Sequence, residues 1–110
     1  MRPIKPADGV LFANYELESF YLSLSENDWL KKSLNRVIQK LKENVFCGER
    51  IKKELIPKEY IKKYSINNLL WTLLPNAWRL VYSIIGHEYK TFALIIEYFD
   101  HKNYERRFGY

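Results

Sequence analysis

The chain has 110 residues and a formal net charge of +5, and 47% of its residues are hydrophobic. This length corresponds to one domain, residues 1–110, which can bury a core without disulfides or metals. The single cysteine, Cys47, excludes an intramolecular disulfide and fits a reducing cytoplasm, and no apolar stretch approaches the ~18 residues of a membrane span.

Two helices are predicted in the front part of the chain, after a short strand at residues 10–13. The first helix follows from the helical spacing of apolar residues in YELESFYLSL. The motif SEND, which begins at Ser25 and ends at Asp28, resembles a capping box and predicts the start of a longer helix, and Gly48 predicts its end. The apolar stripe of this longer helix consists of Leu30, Leu34, Val37, Ile38, Leu41 and Val45.

The second half of the chain has the pattern of a small antiparallel sheet. Pro57 can occupy the first position of a short helical segment. Segments rich in β-branched and aromatic residues then predict three strands, at about residues 68–74, 78–85 and 89–98. Their links are short, so neighbouring strands should be antiparallel. The predicted fold class is α+β, with two N-terminal helices packed on a small antiparallel sheet and a short C-terminal helix.

A period of two assigns the side chains of the last two strands to opposite sheet faces. Arg79 falls on the face with smaller and polar residues, which we expect to remain open. The bulkier face should pack on the helices, and it contains Leu80, Tyr82 and Ile84 on one strand and Phe92, Leu94 and Ile96 on the next.

Most of the excess positive charge lies in residues 50–63, RIKKELIPKEYIKK, which contain six basic and two acidic residues. Lys and Arg neutralise phosphates and aromatic rings stack on bases, so a basic segment near tyrosines suits a nucleic acid. A solvated helix face would give the same pattern, and charge alone leaves both interpretations open.

Several kinds of catalytic site do not fit the sequence. The two histidines and one cysteine lack the close spacing of zinc ligands, and no Gly-rich phosphate loop or GxSxG motif is present. We therefore expect no metal and no cofactor. Cys47 is expected to be a buried thiol, and His87 a solvated turn residue.

The ending DHKNYERRFGY predicts a short helix capped by Asp100. His101, Tyr104 and Phe108 would share one of its faces. Tyr104 and Phe108 could simply anchor the helix to the core, with His101 near the cap. Alternatively, the cluster could cleave RNA without a metal, because histidine can shuttle protons near neutral pH and arginine binds phosphate bidentately.

The segment LPNAWRLVYSI, followed after one strand by DHKNYERRFGY, resembles the archaeal branch of the RelE/ParE toxin superfamily, close to RelE- and HigB-like mRNA interferases. The upstream segment LKENVFCGERIKKELIPKEYIKKY is similar as well. The resemblance implies a RelE-like fold and the toxin of a type II toxin–antitoxin system. Such a toxin is a cytoplasmic endoribonuclease that cuts mRNA on the ribosome and inhibits translation, and a cognate antitoxin protein neutralises it.

The resemblance also implies roles for individual residues. Arg79 matches the phosphate-binding arginine of the family, and His101 and Tyr104 match its C-terminal histidine and tyrosine, so these three are the expected catalytic residues. Residues near this C-terminal match are further candidates for binding RNA or phosphate: Lys102, Arg106, Arg107 and Tyr110. The basic segment, on its charge alone, adds Lys52, Lys53, Lys62 and Lys63 as expected RNA-binding residues.

Two alternatives to the ribonuclease remain open. The predicted strand NLLWTLLP has no basic residue, which favours a catalytically degenerate protein that binds an antitoxin or nucleic acid. A ParE-like inhibitor of DNA gyrase would need no RNA chemistry, but the pair His101 and Tyr104 favours the ribonuclease over it.

Overall fold

The computed structural model describes residues 3–109. It has an α+β architecture, as expected. None of the helices in this part of the chain combines the length and apolarity that a membrane crossing demands. The elements in chain order are β1 (Gly9–Phe12), α1 (Tyr15–Ser23), α2 (Trp29–Glu43), β2 (Glu49–Arg50), α3 (Lys58–Tyr64), β3 (Leu70–Leu73), β4 (Arg79–His87), β5 (Lys90–Phe99) and α4 (His101–Phe108).

The sheet is mixed rather than wholly antiparallel, which corrects the sequence-based expectation. Its strand order is β1-β5-β4-β3-β2, and β1 runs parallel to β5 whereas the other pairs are antiparallel. A parallel pair needs a long connection, and α1, α2 and the intervening strands provide it. The edge strand β2 was not predicted, because two residues are too few to show a period.

The N-cap of helix α2 lies three residues after the predicted one, Ser25. The Asp28 carboxylate accepts from the backbone N–H of Leu30 at 2.8 Å and is the N-cap, while the Ser25 hydroxyl accepts from the N–H of Asn27 in the preceding turn. The predicted stripe is confirmed within the helix, because Leu30, Leu34, Val37 and Leu41 are all buried and Ile38 is partly buried; Val45 is buried beyond the helix end.

Gly48 does not end α2, which stops at Glu43. It is instead a point of close approach between a loop and the sheet. The Gly48 N–H donates to the Tyr82 phenol oxygen at 2.9 Å, and the Tyr82 hydroxyl donates to the Val45 carbonyl at 2.7 Å. A Cβ at position 48 would lie 2.7 Å from the Trp71 carbonyl oxygen, so only glycine fits.

The predicted assignment of side chains to sheet faces is right for β4 and wrong for β5, because β5 contains a β-bulge. Leu80, Tyr82 and Ile84 pack with α1 and α2 in the first core, as predicted. On β5 the prediction was wrong, because Ala93 and Ile95 occupy the first core and Leu94 and Ile96 belong to the opposite face. Val81 pairs with Glu97 but Tyr82 pairs with Ile95, so the bulge shifts the alternation by one residue.

A second core covers the sheet face that was expected to be open. Helices α3 and α4 pack there, and their side chains meet Val81 and Ile96 of the sheet. The buried members of this core are Ile56, Tyr60, Ile66, Leu69, Val81, Ile96, Phe99 and Tyr104. The sheet is therefore sandwiched between two helical layers, and Arg79 lies at the margin of the second one.

Candidate nucleic-acid interface

Arg79 is held between two aromatic rings. Its guanidinium carbon lies 4.4 Å from the centroid of the Trp71 ring and 4.3 Å from that of Tyr104. The register explains the first contact: Arg79 faces Leu73 on β3, so Trp71 is its diagonal neighbour on the same face. The second arises because α4 starts directly after β5, capped by Asp100, and returns Tyr104 over the sheet.

The charge of Arg79 has no acidic partner among the described residues. Its contacts are the two rings, and its Nε atom is buried without a hydrogen-bond partner. Buried polar nitrogens are normally paired, and an unpaired one is costly. A guanidinium that is fixed by stacking but not neutralised is suited to bind an anion, and its planar fork fits phosphate oxygens.

The same two rings border a cleft of about 210 Å³. Its wall includes two basic residues from the segment that carries most of the net charge. The lining residues are Arg50, Ile51, Lys52, Leu55, Trp71, Tyr104 and Phe108. We call this the tryptophan cleft. It places cations beside aromatic side chains, and cations combined with aromatic rings are typical of surfaces that bind single-stranded nucleic acid.

A second cleft, of about 260 Å³, adjoins the first and shares Arg50, Ile51 and Lys52 with it. We call it the asparagine cleft, because Asn67 and Asn68 line it. Lys53 belongs to this second cleft, together with Ile56. Of the predicted basic ligands, Lys52 and Lys53 therefore lie at the two adjoining clefts, and Arg50 is an additional cation that was not singled out from the sequence.

The other predicted basic residues lie elsewhere. Lys62 and Lys63 are exposed on α3, and Lys102 is exposed on α4. Arg106 lines a separate pocket with Glu97 and Phe99. Tyr110 lies outside the described residues.

Arg107 has a structural environment. It forms an ion pair with Glu59 of α3 and a second one with Glu97 of β5, at 3.3 Å. Burial acts to lower the pKa of Arg107, but Glu97 and the other acidic neighbours hold it above the usual value. These pairs join α4 to α3 and to the sheet.

His101 lies apart from the stacked arginine. Tyr104 and Phe108 face inward and stack on each other at 4.6 Å, whereas the His101 side chain is 54% exposed and pairs with Glu105 one helical turn later. It is not among the described residues that line the tryptophan cleft. The structure thus brings Arg79 and Tyr104 together but places His101 outside their contact, and its predicted role as a proton shuttle stays a prediction.

Two other titratable groups have settled environments. Cys47 is exposed rather than buried as expected, and partial burial of its thiol raises the pKa, so it lacks the character of an activated nucleophile. His87 is solvated as expected, but it is the last residue of β4 rather than a turn residue, and its Nε2 lies 3.7 Å from the carboxylate of Glu88. No grouping of three or more His, Cys, Asp or Glu side chains suited to a metal ion occurs in residues 3–109.

Sequence reasoning missed Trp71 and Asn67. The strand that contains Trp71 was assessed only for its lack of basic residues. Trp71 is two residues from Leu73, the partner of Arg79 on β4, so Trp71 and Arg79 lie on the same sheet face. Asn67 gave no signal, because an asparagine before a strand is an ordinary loop residue.

Comparisons with protein-family models, with curated proteins and with solved structures gave no match to this chain.

Proposed function

We propose that this protein is an RNA-binding toxin with a RelE-like arrangement, and that it cuts mRNA without a metal ion on the ribosome, in the cytoplasm. The observation that carries the proposal is the Arg79 guanidinium, stacked between Trp71 and Tyr104 without an acidic partner among the described residues. The architecture is compatible with it: two helices precede most of the sheet and a short helix follows it.

The chemistry follows from what the clefts offer to a polynucleotide. Arg79 binds the scissile phosphate through its guanidinium, and Arg50 and Lys52 contact phosphates along the tryptophan cleft. The 2′-oxygen attacks phosphorus and loses its proton to a base, the P–O5′ bond breaks, and an acid protonates the leaving oxygen. The products are a 2′,3′-cyclic phosphate and a 5′-hydroxyl. His101 and Tyr104 are the proposed proton-transfer groups.

A partner is part of the same proposal. Both sheet faces are covered in the described chain, so an antitoxin would cover the two clefts and α4 rather than an open sheet. The cations there favour an acidic, amphipathic segment that orders on binding.

A second candidate is a non-cleaving protein that binds RNA through the same clefts. The pairing of the half-exposed His101 with Glu105 favours it, because the described walls of the tryptophan cleft contain no histidine. The two candidates share a binding site and differ in turnover.

The test uses Arg79→Ala and Arg79→Lys, with Arg36→Ala as the matched control because Arg36 is exposed on α2. Binding of a labelled single-stranded RNA and single-turnover cleavage on programmed ribosomes are measured on the same samples. We expect Arg79→Ala to weaken both, and Arg79→Lys to recover binding only in part, since lysine keeps the charge but loses the planar stack. Circular dichroism checks the fold, because Arg79 packs against two rings.

His101→Gln separates the two candidates. In a ribonuclease that uses His101, the loss of acid–base catalysis lowers the rate ~10²–10⁴-fold with little change in binding. Normal binding by the wild-type protein without cleavage would select the non-cleaving candidate. RNA affinity and cleavage by Arg79→Ala equal to those of Arg36→Ala would refute the site itself.

A further inference from the structure

The asparagine cleft has a different chemical character from the tryptophan cleft. Besides the shared Arg50, Ile51 and Lys52, it is lined by Lys53, Ile56, Asn67 and Asn68. It therefore combines cations with two isoleucine side chains and two amides. Cations can hold a sugar–phosphate backbone, an apolar wall can contact the flat face of a ring, and an amide can hydrogen-bond a base edge.

Asn68 is fully used by the fold. Its Oδ1 accepts from the backbone N–H of Ile84 at 2.8 Å, and its Nδ2 donates to the carbonyl of the same residue at 2.8 Å. These two bonds to one residue's backbone fix which end of the amide is oxygen and which is nitrogen. The Asn68 side chain thus extends the pairing with β4 to a position before the first residue of β3, and its amide is not available to a ligand.

The fixed amide of Asn68 orients Asn67 in turn. Asn68 Nδ2 also donates to Asn67 Oδ1 at 2.9 Å, so the oxygen of Asn67 points toward Asn68. The Nδ2 group of Asn67 then faces away from that bond, and its two N–H donors have no partner in the described part of the chain. An exposed asparagine would normally rotate freely, but this one presents donors in a set direction.

We infer that the asparagine cleft is a subsite for one unpaired nucleobase and that Asn67 Nδ2 donates to a carbonyl on the edge of that base. Asn67 is then a specificity-determining residue that favours a base with a carbonyl over one with an amino group at the same position. This inference rests on the proposed function for the ligand class. It assigns to the RNA strand a path from the Arg79 stack past Arg50 and Lys52, the two cations that both clefts share.

The experiment compares binding of two labelled RNA octamers, one of uridine and one of cytidine. Their bases differ at the C4 carbonyl or amino group and at N3. We expect the wild-type protein to prefer the uridine octamer by roughly threefold to tenfold, the contribution of one hydrogen bond. Asn67→Asp keeps the acceptor for Asn68 but replaces the donors by a carboxylate oxygen, which accepts from the cytosine amino group. In this variant the ratio of the affinity for the uridine octamer to the affinity for the cytidine octamer should fall to one or below one.

Asn27→Asp is the matched control, because Asn27 is exposed in the loop before α2 and the change in charge is the same. It should retain the wild-type ratio. Equal affinity of the wild-type protein for both octamers, or an unchanged ratio in Asn67→Asp, would overturn the inference. Arg79→Ala separates this inference from the proposed function, because this variant should weaken the binding of both octamers equally. If Arg79→Ala weakens the binding of neither octamer while Asn67→Asp alters the ratio of the two affinities, the base subsite is supported and the proposed Arg79 site is refuted.

Discussion

Partly or fully buried cations in this chain differ in their partners. The Lys31 ammonium donates to the Tyr21 carbonyl at 2.9 Å and so ties α2 to the end of α1. Arg107 is paired with two carboxylates. Arg79 has two rings and no oxygen partner among the described residues. The first two have the partners expected of structural cations, and the third has the environment expected of a ligand-binding one.

Ala77 is in a backbone conformation that suits glycine. Its φ is +61°, in the turn between β3 and β4, and its side chain is exposed. A non-glycine residue in this region is strained by roughly 1–2 kcal/mol. We expect Ala77→Gly to raise the free energy of unfolding by about 1 kcal/mol, because relief of strain exceeds the added freedom of the unfolded chain. Urea denaturation measures the change.

The neighbouring Asn76 is the control for this prediction, since its φ is also +61°. Asparagine tolerates the left-handed region, so Asn76→Gly should give a smaller gain. A less stable Ala77→Gly protein would show that the turn carries no such strain.

The buried phenol of Tyr98 should make the protein less stable at high pH. Its hydroxyl donates to the Leu17 carbonyl at 2.8 Å, and burial raises the pKa of the phenol to about 12. The neutral phenol contributes fully to the free energy of unfolding below the pKa of tyrosine in the unfolded chain, which is about 10. This contribution is lost as the pH rises through the pKa of the folded protein, about 12. Tyr98→Phe should cost about 1 kcal/mol at pH 8 and flatten the decline between pH 10 and 12.

Stability as a function of pH, measured by urea denaturation, tests this prediction. The exposed Tyr15 provides the control, because Tyr15→Phe should leave both the stability at pH 8 and the alkaline decline unchanged. An identical alkaline decline in the wild-type and Tyr98→Phe proteins would contradict the assignment.

At the scale of elements, the sequence predicted what depends on local periodicity. The stripe of α2, the hairpin of β4 and β5 and the Asp100 cap of α4 were all expected, and the structure contains them. The bulge in β5 could not be predicted, because a single extra residue leaves no local mark and reverses the faces of everything before it. The coverage of the Arg79 face could not be predicted either, because α3 and α4 reach it through contacts between distant segments.

The docking of α4 should depend on Arg107 and not on its neighbour Arg106. Arg107 joins Glu59 and Glu97 to the helix, whereas neither carboxylate pairs with Arg106 in the described chain. Arg107→Met leaves the Glu97 carboxylate without this cation, and we expect a loss of about 1 kcal/mol together with weaker RNA binding, because Tyr104 on the same helix completes the Arg79 stack.

Arg106→Met removes the same charge from the adjacent position and should leave the unfolding free energy unchanged. Thermal denaturation and RNA affinity are measured for both variants. If Arg106→Met weakens RNA binding as much as Arg107→Met without any loss of stability, Arg106 binds phosphate directly, as the sequence resemblance implied.

On the scale of the whole molecule, the basic segment divides into two surfaces. Arg50, Lys52 and Lys53 line the clefts, whereas Lys58, Lys62 and Lys63 are exposed on α3. Neutralising the first set should lower the salt dependence of RNA binding, by about 0.7 in the slope of log K against log salt for each phosphate that the protein no longer neutralises. Neutralising the second set, which has the same formal charge, should change the slope less. Equal slopes in the two triple variants would mean that net charge alone governs binding.

The parallel pairing of β1 with β5 has a consequence for the order of folding. The β4–β5 hairpin joins neighbouring segments, but the bond from Thr91 N–H to the Asp8 carboxylate spans a sequence separation of 83. Closing the larger loop costs more entropy, so we expect the hairpin in the folding transition state and β1 to dock afterwards. Val10→Ala should then accelerate unfolding with little effect on the refolding rate, whereas Ile84→Ala, at a similarly half-buried position in the hairpin, should slow refolding. Stopped-flow chevrons of the two variants would reveal the opposite order if Val10→Ala were the one that slowed refolding.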